Sequence, residues 1–93
     1  MKMDAILHRN PQIIARKVDK ETVILPLYKT SDEVDSIYTL NGAAADVWKL
    51  IDGKRTLADI KKNILKKYDI SSQEIDEKLE DLLKILKGMK AIK

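Results

Sequence analysis

The chain has 93 residues, of which 35% are charged, with a formal net charge of +3, no cysteine and one histidine. That suffices for one domain with a modest core, and it excludes a disulfide framework, a thiol nucleophile and a thiolate metal site. The charge is too small to demand a nucleic-acid partner, no apolar run approaches the roughly 18 residues of a membrane span, and the start, MKMDAILHRNPQ, lacks the features of a signal peptide, so a cytoplasmic protein with no membrane partner is expected.

Residues 1–9 read as a flexible arm. His8 lies there with only Asp4 as a neighbouring ligand type, which makes it a surface histidine and not a metal or catalytic group. Residues 12–18 alternate as a first strand, with Ile14, Arg16 and Val18 on one face and Ile13, Ala15 and Lys17 on the other. Asp19-Lys20-Glu21 is a polar hairpin loop. Residues 22–28 form a second strand rich in β-branched side chains. Pro26 within it lacks an N–H and calls for a bulge or an outward-facing edge position. After a polar connector over residues 29–33, the third strand covers 34–40, with Val34, Ser36, Tyr38 and Leu40 on one face and Asp35, Ile37 and Thr39 on the other. Short links between consecutive strands imply an antiparallel meander.

Asn41 is placed to cap the helix that follows. Ala44, Val47, Trp48 and Ile51 then recur at helical spacing and form its buried face, with the chain's single tryptophan as the anchor between helix and sheet. Asp52-Gly53 stops this helix, since glycine takes the left-handed conformation cheaply. Thr56 with Asp59 is a capping box for a second helix. Its core side is Leu57, Ile60, Ile64 and Leu65, and its outer side is the basic run Lys61, Lys62, Lys66 and Lys67. Ser71 with Glu74 is a capping box opening a third helix over residues 72–87, with Gly88 as its stop and Met89, Ala91 and Ile92 folding back onto the core. In that helix Ile75, Leu79, Leu82, Leu86 and Met89 make a central stripe. Ile85, beside Lys78, flanks it on one side and Leu83 on the other. One flank covers core and the other is free to line a groove; periodicity does not say which.

The third strand is a candidate sheet edge. Residues 34–39 carry one charge, Asp35, and no proline, so the edge is barely protected. An open edge beside an amphipathic helix suits β-strand addition by an extended peptide. Cover by the N-terminal arm, or by a second copy in a homodimer, is the alternative.

The stretch YTLNGAAADVWKLIDGKRTLADI, with Asn10-Pro11 before the first strand and KKYDISSQEIDEKLEDLLKILKGM at the end, resembles the PqqD-like family named for protein D of pyrroloquinoline quinone biosynthesis. The resemblance spans nearly the whole chain and is most specific from Leu40-Asn41 to Gly53. It implies an α+β, winged-helix-like fold of three antiparallel strands followed by three helices. It also implies the role of a RiPP recognition element, a peptide chaperone for ribosomally made, modified peptides. Such a domain binds the leader segment of a precursor peptide as an added strand and presents it to a modifying enzyme, often a radical S-adenosylmethionine enzyme. Carried onto this sequence, the docking strand is Val34, Asp35, Ser36, Ile37, Tyr38 and Thr39, and the groove wall is Lys78, Leu82 and Ile85. Lys78 is then available to an acidic leader residue. No cofactor or metal is implied.

Two other functions are weaker. A DNA-binding winged helix would read bases with its third helix. The outer side of that helix carries Glu74, Asp76, Glu77, Glu80 and Asp81 against Lys78 and Lys84, which repels phosphate. An enzyme is disfavoured because the chain has one histidine, no cysteine and no glycine-rich phosphate loop.

Overall fold

Three strands and then three helices follow one another along the chain, in a computed structural model that describes residues 2–26 and 37–92. The strands β1 (Ile13–Val18), β2 (Glu21–Pro26) and β3 (Tyr38–Asn41) form one antiparallel sheet in the order β1-β2-β3. The helices are α1 (Gly42–Leu50), α2 (Leu57–Lys67) and α3 (Ser72–Gly88). This is the α+β meander-then-helices order that the short links and capping signals predict. The expected strand residues Val34, Asp35 and Ser36 lie outside the described residues, as does the connector before them.

The β1–β2 hairpin turns on Asp19, which adopts φ 56°, a left-handed conformation that a short polar side chain tolerates. Its register runs without a slip from Val18 opposite Glu21 to Ile13 opposite Pro26, so of the bulge or outward-facing edge position expected at Pro26, no bulge forms against β1. Pro26 instead ends β2. Among the described residues, pairing of β2 with β3 runs from Glu21 opposite Asn41 to Ile24 opposite Tyr38.

Ile24 and Leu40 carry the buried face of the sheet, and Val47, Trp48 and Ile51 of the first helical segment pack onto it. Ile60 and Ile64 from α2 and Ile75, Leu79 and Leu86 from α3 complete the core. In α1 the buried alanine is Ala45, while Ala44 is only half-buried. Gly53 takes φ 78° after Ile51 caps the helix, as the Asp-Gly pair predicts. Asp52 braces this turn by accepting bonds from the amides of Lys54 and Arg55.

Two ends of helices depart from expectation. Asn41 precedes α1, but its side chain makes no capping bond. Gly42, at φ 54°, makes the turn from strand to helix while Asn41 stays in the β3 ladder opposite Glu21. At the other end of the chain, Gly88 remains inside α3 and Lys90 takes the left-handed conformation at φ 59°. The Ala91 amide then reaches back to the Leu86 carbonyl at 2.8 Å, a Schellman closure. Burial of Ala91 and Ile92 offsets the strain of a non-glycine residue there.

The expectation of a loose N-terminal arm is revised for residues 2–9. The carbonyls of Ala5 and Met3 accept from the Leu57 and Ala58 amides, at 2.9 and 2.8 Å, and that of Leu7 from the Gly53 amide at 3.1 Å. The Thr56–Asp59 capping box satisfies the next donors of the same helix start. The arm therefore caps α2 with its backbone, and Leu7 is buried in return. Arg9 holds the far side, with its Nε 2.6 Å from the Ile51 carbonyl and its guanidinium 5.5 Å from the centre of the Trp48 ring.

Candidate functional site

A cleft of about 600 Å3 opens between the β3–α1 junction and α3. Its floor is apolar, with Val47 from α1 and Ile75 and Leu79 from α3. The sequence places it there for local reasons. The turn at Gly42 and the small side chains of Ala43 and Ala44 keep the α1 wall low, so α3 does not close onto β3. On α3 the positions Ile75, Lys78, Leu82 and Ile85 fall three and four apart, which sets them in one line along the opposite wall. β3 is the last strand of the sheet, and among the described residues no strand pairs with its outer side.

Four of the residues singled out in the sequence meet here: Tyr38, Lys78, Leu82 and Ile85 all line the cleft. Thr39 is exposed on β3 and Ile37, expected in the strand, is exposed just before it; neither lines the cleft. Val34, Asp35 and Ser36 are not among the described residues. The two flanks of α3 are now distinct. Ile85 faces the cleft and is 39% exposed, whereas Leu83 is 6% exposed and faces Ala5, Leu7 and Leu57 on the opposite side.

The family model described as Coenzyme PQQ synthesis protein D (PqqD) matches residues 21–92. The chain belongs to the PqqD family. No curated protein matches the chain. Among solved structures, that of "TbiB1 in Complex with the TbiA(beta) Leader Peptide" shares the fold with a TM-score of 0.77 at 17% sequence identity, over 92% of this chain and 94% of the other.

Other cleft residues of this PqqD-family chain escaped the sequence reading. The connection between α2 and α3 supplies Tyr68, Asp69 and Ile70, and α3 adds Glu74 and Asp81. The only signal for the first group was an aromatic residue on a connection, which is too common to single out. Tyr68 is held in place by chemistry: its hydroxyl donates to the Asp46 carboxylate on α1. Lys67 Nζ also lies 3.0 Å from that carboxylate. Partial burial pushes the Asp46 carboxyl up, but the Tyr68 hydroxyl and the Lys67 ammonium outweigh it and hold it below the ordinary 3.8. The same bond to Asp46 raises the Tyr68 hydroxyl above its ordinary 10.0. The triad ties α1 to the end of α2 and fixes one end of the cleft.

Among the described residues no group of three metal-ligating side chains forms, and no helix is long and apolar enough to cross a membrane. The exposed side of α3 presents Glu77 and Glu80 to solvent, which disfavours that helix as a reader of DNA.

Proposed function

We propose that this PqqD-family protein is a peptide chaperone: it binds the leader segment of a ribosomally made precursor peptide and presents it to a modifying enzyme. The leader adds as a strand along Val34 to Thr39 and lays its side chains into the cleft against Lys78, Leu82 and Ile85. The observation that carries this reading is the apolar cleft, which has on one side an edge of β3 that no strand among the described residues pairs with, and α3 on the other. The similar fold of a domain solved with a leader peptide supports it. Residues 1–93 act as one binding domain with no chemistry of its own. The partner enzyme is of the radical S-adenosylmethionine type and the setting is the cytoplasm; a homodimer through a sheet edge is a further assembly of the same kind.

Magnitudes show how such a cleft works. Four to six strand hydrogen bonds contribute roughly 0.5–1.5 kcal/mol each, while ordering each peptide residue costs roughly 1–2 kcal/mol. These nearly cancel. Micromolar binding needs about 8 kcal/mol, so two or three apolar leader side chains must be buried, at roughly 1.5–3 kcal/mol each. Backbone pairing sets register and the cleft supplies affinity.

The test is a backbone amide NMR titration of the labelled protein with peptides encoded by short reading frames beside its gene, then with duplex DNA at moderate salt. Shifts confined to the third strand, the Gly42–Val47 turn and α3 on adding peptide are expected. No response to any peptide, with DNA shifting α2 and α3, would replace this reading with the DNA-binding one.

A further inference from the structure

The chain is basic overall, at +3, yet its cleft is not. Among the described residues, Asp69, Glu74 and Asp81 line the cleft against one cation, Lys78. None of these four forms an ion pair among the described residues, where the pairs are Arg55–Asp52, Lys61–Asp76 and Lys67–Asp46. The other lysines of α2 lie elsewhere: Lys61, Lys62 and Lys66 border a separate hollow with Met3, Ala58 and Leu65. Among the described residues charge is thus segregated, with carboxylates around the apolar cleft and ammonium groups around the outer side of α2.

We infer that the cleft selects extended peptides that carry lysine or arginine beside their apolar anchors. The inference rests on the peptide-binding reading and adds the chemical class of the ligand. It reverses the acidic partner that Lys78 alone suggests: a leader carboxylate near Lys78 would also meet Glu74 one turn before it and Asp81 one turn after. Asp69, Glu74, Lys78 and Asp81 are all exposed, so the attraction of a cation and the repulsion of an anion are each modest and screened by salt. Spacing follows from geometry. Glu74 and Asp81 are separated by about 10 Å along the helix, a distance that an extended peptide covers in roughly three residues. Two basic residues two to four positions apart therefore reach both. The opposite wall takes the anchors: Ala43 and Ala44 are small, and apart from Gly42's own helix and chain neighbours no atom lies within 4 Å of where a Gly42 side chain would begin, which leaves room for long or aromatic side chains.

The experiment selects from a display library of random twelve-residue peptides with the full chain. It then titrates the enriched peptides, fluorescently labelled, against the wild type and a Glu74→Gln/Asp81→Asn variant at low and high salt. Both substitutions keep side-chain shape, and the Ser71 cap bonds the Glu74 backbone amide, which the variant retains. Expected are peptides enriched in Lys or Arg next to apolar residues, with affinity about tenfold lower in the variant and falling with salt. Enriched peptides that shift the β3 and α3 amides but are neutral or acidic, and that bind the variant as well as the wild type, would overturn the inference and leave the peptide-binding reading standing. A library from which no peptide shifts those amides would overturn both.

Discussion

Serine in place of Ile85 or of Leu83 separates binding from folding. Leu83 is 6% exposed against the docked N-terminal segment. Leu83→Ser forfeits the burial of a leucine and leaves a polar group in a cavity, about 3 kcal/mol together. For a domain of this size that lowers Tm by roughly 15 °C. Ile85 is 39% exposed on the cleft wall, so Ile85→Ser gives up only part of its transfer energy, about 1 kcal/mol or less. Isoleucine and serine have near-equal helix propensity, so the helix itself is little changed. In a peptide complex, however, Ile85 contacts an apolar anchor, and losing about 1.4 kcal/mol there weakens Kd about tenfold. Neither substitution alters charge, so the rim electrostatics stay constant. The assay pairs thermal melts by circular dichroism with fluorescence anisotropy titration of a selected peptide at 15 °C, a temperature chosen to keep both variants folded. Weak binding with a near-native melt for Ile85→Ser, and the converse for Leu83→Ser, is expected. A Leu83→Ser protein that melts like the wild type but loses the peptide, beside an Ile85→Ser protein that binds normally, would put the groove on the other flank.

The remaining predictions concern the groups that shape the cleft. Because the Asp46 carboxyl is held below 3.8 in the folded protein, its contribution to stability is complete above that pH and is lost as pH falls through the lower folded value. Urea midpoints between pH 2.5 and 5 should therefore fall more steeply for the wild type than for Asp46→Asn, and equal slopes would show that the triad is not formed. Tyr68→Phe removes the hydroxyl that Asp46 accepts from; a stability loss of about 1 kcal/mol and an Asp46 carboxyl moved back toward its ordinary value by NMR titration are expected. Deleting residues 1–7 takes away the carbonyls that bond the Gly53, Leu57 and Ala58 amides. Those amides should then exchange with solvent faster than the rest of α2, and unchanged protection would mean that the segment does not cap the helix. At Gly53, φ is 78° and an added Cβ would stand 2.8 Å from His8 Nδ1. Gly53→Ala should cost about 1–2 kcal/mol, of which His8→Ala in the same chain recovers the contact but not the backbone strain, as a double-mutant cycle would resolve.

How far the sequence reveals this molecule depends on how local each determinant is. The strand order, the three helices and the Thr56–Asp59 capping box are written in short-range patterns and form, while of the Ser71–Glu74 box only the bond from the Glu74 amide to the Ser71 hydroxyl is made. The failures are where tertiary burial outweighs a local rule. Gly88 is the better left-handed residue, but the buried pair Ala91 and Ile92 moves the turn to Lys90. Residues 2–9 carry apolar side chains at Met3, Ala5, Ile6 and Leu7 without a helical or strand period that predicts a fixed course, yet the free amides at the start of α2 give their backbone somewhere to bond. The cleft behaves the same way. Helical periodicity identifies Ile85 and Leu83 as opposite flanks of α3, but only the docking of Leu7 and Leu57 decides that Leu83 is the covered one.

The sign of charge in the cleft is the least local property of all. Asp69 comes from a connection, and Glu74 and Asp81 come from two turns of α3; read along the chain they belong to an outer surface of alternating charge. Folding splits that surface. It turns Glu77 and Glu80 to solvent and ties Asp76 to Lys61 of α2 at 2.9 Å. It leaves Glu74 and Asp81 beside Ile85 and Leu82 on the cleft wall. Apolar anchors supply most of the affinity of such a cleft, so they also tolerate many peptides. Carboxylates that pair with no lysine among the described residues penalise acidic peptides, and discrimination needs such a penalty as much as it needs attraction. A chaperone that must pick one leader out of many apolar segments gains more from that penalty than from a deeper pocket.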